Sequence, residues 1–425
     1  MEKKTVLTGI TTTGTPHIGN YLGAIKPAIE MSQSGEYNNF YFLADFHALI
    51  KCHDPERIAQ STREIAVTWL ALGLDTDKAT FYRQTDIPEI TELTWMLTCM
   101  CSKGLMNRAH AYKASVDANR DSGKADLDDG VTMGLFSYPI LMAADILMFN
   151  ADLIPVGKDQ IQHIEMARDM AGRFNHTFEN LFTLPEAVVD ETTQLIPGLD
   201  GRKMSKSYDN TIPLFCSADE LYKLIKQIKT DARAPGEPKD ADNSTLFQLY
   251  SCFANELEVA AMRTRFEEGI AWGDAKKELF EFLDAKLVEP RARYNEFMSD
   301  LGAVEDILLK GADKAREVAT PLLEKVRIAT GIRPLTYTSQ AKSDEKQKKE
   351  KSAEAMARAE EGRRRAILMQ LQPLLDQVAA ADDQSAAAQN AIADKTAEVA
   401  SLKKKAKQKA QNELDLLQEA LAQYL

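Results

Sequence analysis

Through the first two hundred residues, short apolar runs alternate with longer stretches in which apolar residues return every three or four positions. Residues 5–10, TVLTGI, predict a short buried strand; the loop TTTGTP follows, and residues 17–33 then set Ile18, Leu22, Ile25 and Ile29 on one helical face. The alternation continues with a strand over 38–49, a helix over 55–74, a strand over 79–87 and a helix over 90–100. Further on, ADLIPVG (151–157) reads as a strand running directly into a helix over 158–174. Strand and helix in turn at this pitch predict an α/β, doubly wound parallel sheet with helices on both faces. The stretch YPILMAADILMFN, 138–150, is a core helix with Asp145 in its middle. A buried, ionised carboxylate costs several kcal/mol unless something pairs with it.

From about residue 217 the periodicity is almost entirely helical, as in ADELYKLIKQIKT, ELEVAAMRTRFEEG and KAREVATPLLEKVRIATG. From 340 a dense mixed-charge run gives way to two apolar stripes, Ile367, Leu371, Leu374, Val378 and then Ile392, Val399, Leu402, Ala406, Ala410, Leu414, Leu417, Leu421. Amphipathic helices forming a hairpin or coiled coil fit that pattern. Three domains are therefore expected, at 1–216 (α/β), 217–338 (α-helical) and 339–425 (a charged helical extension). The extension reads equally as a solvated tail and as a partner-binding arm.

Charge and cysteines narrow the function classes. The chain carries 52 Lys and Arg against 64 Asp and Glu, a net charge of −12, so its surface as a whole does not advertise nucleic-acid binding; a local basic patch stays open, because whole-chain charge averages over faces. The region from residue 340 is nearly balanced, with fifteen basic and fourteen acidic residues. Five cysteines form no CxxC pair, and no zinc-ligand spacing accompanies Cys52 and His53. They read as reduced thiols of a cytoplasmic protein. The start MEKKTVLTGI is too short in apolar residues for a signal peptide, and the longest apolar window, 135–149, is too interrupted to span a bilayer.

Two loops carry chemistry. TPHIGN, 15–20, lies between the first strand and its helix, where doubly wound folds bind ligands and helix N-termini meet phosphate. There His17 faces the crevice, Gly19 lets a flat base approach the backbone, and Asn20 offers donors and an acceptor. GRKMSKS, 201–207, puts Lys203, Ser205 and Lys206 on one glycine-led loop, a set suited to a polyphosphate whose leaving group gains charge. His17 and Lys203 are 186 positions apart.

Together the two loops resemble the paired signature of the class I aminoacyl-tRNA synthetases, with HIGH present as HIGN and KMSKS intact at 203–207. The likeness covers about residues 4–335, and YPILMAADIL followed by PVGKDQIQHIE is similar to the tryptophanyl branch. Tyrosyl relatives tend to carry Gln at the position of Met142 and a GGSDQ-like turn in place of PVGKDQ. A polarizable methionine suits packing against an indole.

That resemblance implies a Rossmann-like sheet with an inserted segment, and a set of roles. His17, Lys203 and Lys206 would act on the phosphates. Thr11, Thr12, Thr13, Gly19, Asn20, Lys113, Gly157, Asp159, Met204 and Ser205 would line ATP, which enters as its Mg2+ complex. Asp145 would accept the indole N–H and Tyr138 and Gln160 hold the α-ammonium, with Leu7, His47, Met142, Ile154 and Val156 around the ring. Tyr138, Met142 and Asp145 follow at four and three and so share a helix face. An amino acid without the N–H would leave the carboxylate unpaired, and a comparable hydroxyl case reaches about 10⁴ to 10⁵ in discrimination.

The implied partners are L-tryptophan, tRNA(Trp) and a second copy of the chain, with no membrane and no tightly bound protein-ligated metal. The helical 217–338 segment would read the anticodon. The sequence departs from the pattern at Thr11, where many tryptophanyl enzymes have Gln, at His17, where many have Thr, and in ETTQLIPGLDGR before the second loop. Tyrosine activation and a catalytically silent paralogue with a regulatory binding role remain alternatives. The retained His17, Lys203, Lys206 and Asp145 speak against the silent reading.

Overall fold

The computed structural model describes residues 3–189, 196–335, 337, 362, 364–402 and 404–425. They divide into two compact units, Met1–Ile332 and Arg333–Leu425. Most of the mixed-charge run after 338 lies outside the described residues.

The first unit is built on five parallel strands: β1 (Thr5–Thr11), β2 (Asn38–Ala44), β3 (Ala79–Arg83), β4 (Leu153–Pro155) and β5 (Glu186–Val188). Their spatial order is β3-β2-β1-β4-β5. Register pairs Leu7 with Phe40 and Tyr41 with Phe81. The order reverses between β1 and β4, which opens a crevice at the carboxyl ends of those strands. The predicted α/β class is thus observed.

Two strands stop earlier than their apolar runs. The second ends at Ala44, and Asp45–Ala48 turn into a single helical turn in which Asp45 accepts from Phe46 and Thr85. The third ends at Arg83, and Gln84–Asp86 form a 3-10 turn. His47 therefore stands on a helical turn beyond the sheet, not at the end of a strand. The first helix is interrupted too, with a π turn over Tyr21–Ile25 between Ile18–Asn20 and Lys26–Gln33.

Helices cover both faces. On one, the helices Met133–Leu147 and Ile161–Thr177 pack Ile140, Ala144, Ile164 and Phe174 against Leu7, Phe40 and Ile154. On the other, the helix Pro55–Ala71 places Ile65 and Trp69 against Tyr41 and Leu43. The residues after 217 form the expected helices, including Ala218–Gln227, Thr245–Ser251, Glu256–Glu267, Trp272–Ser299 and Leu301–Thr330. Their apolar core, with Leu221, Leu249 and Leu283, also takes in Ile18 and Met204. One apolar cluster thereby braces both loops that carry chemistry.

The 301–330 helix lies against the outer side of β3, at its closest by Gly311. A Cβ built there would fall 1.7 Å from the carbonyl oxygen of Phe81. Ion pairs run along the same seam: Arg83 with Glu305, Arg316 with Glu89, and Arg327 with Glu92. Gly311→Ala tests the approach. Helix propensity alone would favour alanine by about 1 kcal/mol, but a strand carbonyl cannot yield, and overpacking costs about 1–3 kcal/mol or more. The melting temperature is expected to fall. Gly172→Ala in the 161–177 helix, where a Cβ meets nothing within 4 Å, is expected to raise it.

The second unit is helical over 364–379, Gln384–Ser401 and Lys404–Leu421. Leu371, Val378, Ala388, Leu417 and Leu421 share one apolar cluster, and Val399, Ala410 and Leu414 another. Lys395 bridges Glu398 and Glu413 at 2.9 and 2.6 Å. Among the described residues of both units, no helix is long and apolar enough to cross a membrane.

Candidate active site

The loop after β1 and the loop around 203–207 meet. Ile18 N–H donates to Ile212 O at 3.0 Å, and Leu214 N–H to Pro16 O at 3.0 Å. His17 caps the first helix: its Nδ1 accepts from Asn20 N–H at 3.3 Å, while its own N–H donates to Asn20 Oδ1 at 3.1 Å. Burial, then the nearby Lys206 charge, lower the His17 pKa to about 4. Near neutral pH the ring is therefore uncharged, and with Nδ1 accepting, its proton sits on Nε2. His17 thus presents a neutral N–H donor, not a cation. Gly19 makes room for that ring, since a Cβ there would lie 3.0 Å from it.

Lys206 reaches across to donate to Thr13 O at 2.8 Å, beside Gly14 in a left-handed conformation with φ +88°. Desolvation of the ammonium, then Arg57, pull its pKa down to about 8. Gly14 N–H donates to Ser61 Oγ at 2.6 Å, which anchors the loop on the 55–71 helix. A cavity of about 370 Å³ opens between them, lined by His17, Arg57, Ser61, Lys206 and Thr211. Lys203 is exposed, Met204 is buried in the shared core, and Ser205 Oγ accepts from Ser207 N–H.

Asn210, unnoticed in the sequence, sets the shape of this second loop. Buried, it accepts from Ser205 N–H at 2.8 Å and donates to Asp200 and to the Lys203 carbonyl. Thr12 is fully buried with its hydroxyl unpartnered, while Thr11 is exposed. Lys113 lies on the helix His110–Asp121 and lines a different cavity, of about 550 Å³, with Arg108, His110 and Gln162.

Around Asp145 the crevice differs from expectation. Asp145 is 1% exposed but is not unpaired. Gln84 Nε2 donates to both its oxygens, at 2.8 and 2.9 Å, and His47 Nε2 lies 2.9 Å from Oδ2. Gln84 is itself oriented by Phe46 N–H, which donates to its Oε1. Burial pushes the Asp145 pKa up against these hydrogen bonds. A carboxylate has about four acceptor positions; the three contacts leave one, on Oδ1. In the sequence Gln84 is one polar residue inside the run read as a strand over 79–87, and it gains meaning only beside Asp145.

Tyr138 and Gln160 are joined through a residue the sequence reading passed over. Tyr138 Oη lies 2.8 Å from His163 Nε2, His163 Nδ1 lies 2.8 Å from Gln160 Oε1, and Gln160 Nε2 donates to Asp159 Oδ2 at 2.8 Å. The Gly157 carbonyl accepts from Gln160 N–H, completing the turn after β4. His47 and Tyr138 meet edge to face with centroids 6.3 Å apart. Met142 and Val156 are partly buried against the core, whereas Leu7 and Ile154 are fully within it.

A parallel sheet whose crevice is faced by these two loops is the catalytic core of a class I aminoacyl-tRNA synthetase. The family model "tRNA synthetases class I (W and Y)" matches residues 1–287. A tryptophan--tRNA ligase of Pseudomonas putida is 61% identical over 351 residues, covering 82% of this chain and 78% of that protein. One from Neisseria meningitidis serogroup A is 59% identical over 335 residues, 79% of this chain and 100% of its own length. A crystal structure of tryptophanyl-tRNA synthetase from Campylobacter jejuni, complexed with ADP and tryptophan, is 41% identical at a TM-score of 0.70 and covers 77% of this chain and 99% of that one. The chain belongs to the class I tRNA synthetases for tryptophan and tyrosine, in the branch of ATP-dependent tryptophan--tRNA ligases.

Proposed function

We propose that this crevice activates L-tryptophan with ATP and passes it to the 3′ end of tRNA(Trp), with the roles divided as follows. The tryptophan carboxylate attacks the ATP α-phosphate in line, giving tryptophanyl-adenylate and pyrophosphate; a ribose hydroxyl of the tRNA then takes the acyl group and AMP leaves. No protein nucleophile is required. Positioning and charge stabilisation carry the chemistry. His17 Nε2–H and the helix start behind it serve the α-phosphate, Lys203 and Lys206 the departing pyrophosphate, and Mg2+ arrives with ATP as part of the substrate. Asp145 takes the indole N–H on its remaining acceptor position, with Met142 against the ring. Tyr138 and Gln160 take the α-ammonium.

The observation that carries this reading is the Lys206 ammonium seated 2.8 Å from the Thr13 carbonyl, which ties the second loop to the first beside His17. The test is ATP–pyrophosphate exchange with each amino acid. Tryptophan is expected to drive exchange and tyrosine not; exchange driven by tyrosine, or by neither, overturns the reading.

The helical segment 217–338 is proposed to read the anticodon, and the enzyme to work in the cytoplasm as a homodimer. The extension is proposed to be dispensable for activation, because the Neisseria relative aligns over its whole length with 335 residues of this chain. Ending the chain after residue 338 is expected to leave tryptophan-dependent exchange intact. Charging of tRNA by the shortened chain then reads whether the extension acts as a tRNA arm.

A further inference from the structure

The proton positions along the Tyr138–His163–Gln160 chain follow from its outer end. The Asp159 carboxylate accepts, so the Gln160 atom 2.8 Å from it is the amide nitrogen, and Gln160 Oε1 faces His163. Nδ1 of His163 must then carry a proton to donate to Oε1. His163 is 3% exposed, and burial lowers its pKa below the ordinary histidine value. The groups facing it are His110 and His47, whose charge would lower it further, Asp159, which opposes them, and the Tyr138 hydroxyl. A ring with one proton, already on Nδ1, has a bare Nε2, and Tyr138 O–H must donate to it across 2.8 Å.

We propose that His163 is a positioning residue for the substrate's α-ammonium: by holding its single proton on Nδ1 it makes Tyr138 donate inward and turns the lone pairs of Tyr138 and Gln160 toward the pocket. This rests on the tryptophan-activating reading above and extends it to a residue outside the pocket wall. A second proton on Nε2 reverses the arrangement. The ring then donates to the Tyr138 oxygen, occupies one of its lone pairs, points the phenolic hydrogen outward and adds a positive charge beside the ammonium site. Tryptophan affinity accordingly falls as pH drops below the ordinary histidine range, while a ligand without an ammonium is spared.

The test is equilibrium binding to the full chain of L-tryptophan and of 3-indolepropionate, which keeps the indole and carboxylate and lacks the ammonium. His163→Phe fills the site without an acceptor and is expected to weaken tryptophan about tenfold, the worth of one hydrogen bond, with indolepropionate unchanged. His163→Gln returns an acceptor toward Tyr138 without a titrating ring; it is expected to restore most of the affinity and to lose the acid-side decline. If the phenylalanine variant does not fold, the pH profiles of wild type and His163→Gln decide alone. Parallel loss of both ligands, or an acid decline that persists in His163→Gln, overturns the proposal. Absence of tryptophan binding and exchange in the wild type would instead overturn the proposed function.

Discussion

Lys206→Ala is expected to slow adenylate formation by about 10² to 10³, the usual cost of removing one group aimed at charge that develops in the transition state. Tryptophan affinity is expected to change little, because the ammonium donates to the Thr13 carbonyl, whereas the hydrogen-bond partners of Asp145 are Gln84 and His47. Exchange kinetics and equilibrium tryptophan binding separate the two; an equal loss in both would reassign Lys206 to the amino-acid pocket. The pH profile adds a second reading. Lys206 has been drawn down to about 8, so in the free enzyme its charge disappears as pH rises through that value. The wild-type rate at low ATP is expected to decline on that alkaline limb, and Lys206→Ala to show a low rate without it. Arg57→Gln removes one of the two causes of the depressed value and is expected to move the limb to higher pH.

The second large effect concerns Asp145. The fully unpaired carboxylate read from the sequence would reject a tryptophan isostere lacking the indole N–H by about 10⁴ to 10⁵. Gln84 and His47 already satisfy most of the acceptor positions, so an isostere leaves only one of them empty. A hydrogen bond to a charged group is worth about 1.5–3 kcal/mol, and the expected discrimination falls to about 10²-fold. In Asp145→Ala the two ligands are expected to be used almost equally, both poorly. That variant also strands the donors of Gln84 and His47 in the core, at a further cost of about 1–3 kcal/mol in stability. Measuring kcat/KM for tryptophan and for its benzothiophene analogue in both proteins checks the pair. A wild-type preference below about threefold would remove Asp145 from indole recognition, since one hydrogen bond already gives more.

Much of this architecture was legible because two periods dominate it. Continuous apolar runs marked β1 to β4, and the three-to-four spacing marked most of the helices through to 330, though not His110–Asp121. What failed were ends and short pieces. Apolar character continues past Ala44 into Phe46 and Ala48, so nothing in the pattern marks where Asp45 accepts from Phe46 and Thr85 and starts a helical turn. Three residues, Glu186–Val188, are too few for a period, and β5 went unseen.

In the site, the two loops were readable because each concentrates several polar groups in a few residues. Gln84, His163 and Asn210 were not, because each is a single polar residue whose partners come from elsewhere in the fold. Gln84 finds Asp145 across 61 positions. The misreading of Asp145 as unpaired has the same origin: a helix stretch shows the carboxylate and not what tertiary packing brings to it.

The 301–330 helix also has a bearing on how the chain comes to be made. Strand β3 is the free margin of the sheet on that side, and an uncovered margin presents unpaired peptide groups to any other strand it meets. Its cover, centred on Gly311, is synthesised more than two hundred residues after Phe81. During translation at about 5–20 residues per second, the sheet spends on the order of ten seconds or more with that margin bare. A nascent chain halted before residue 301 therefore leaves that margin open to another strand, and completing the 301–330 helix closes it.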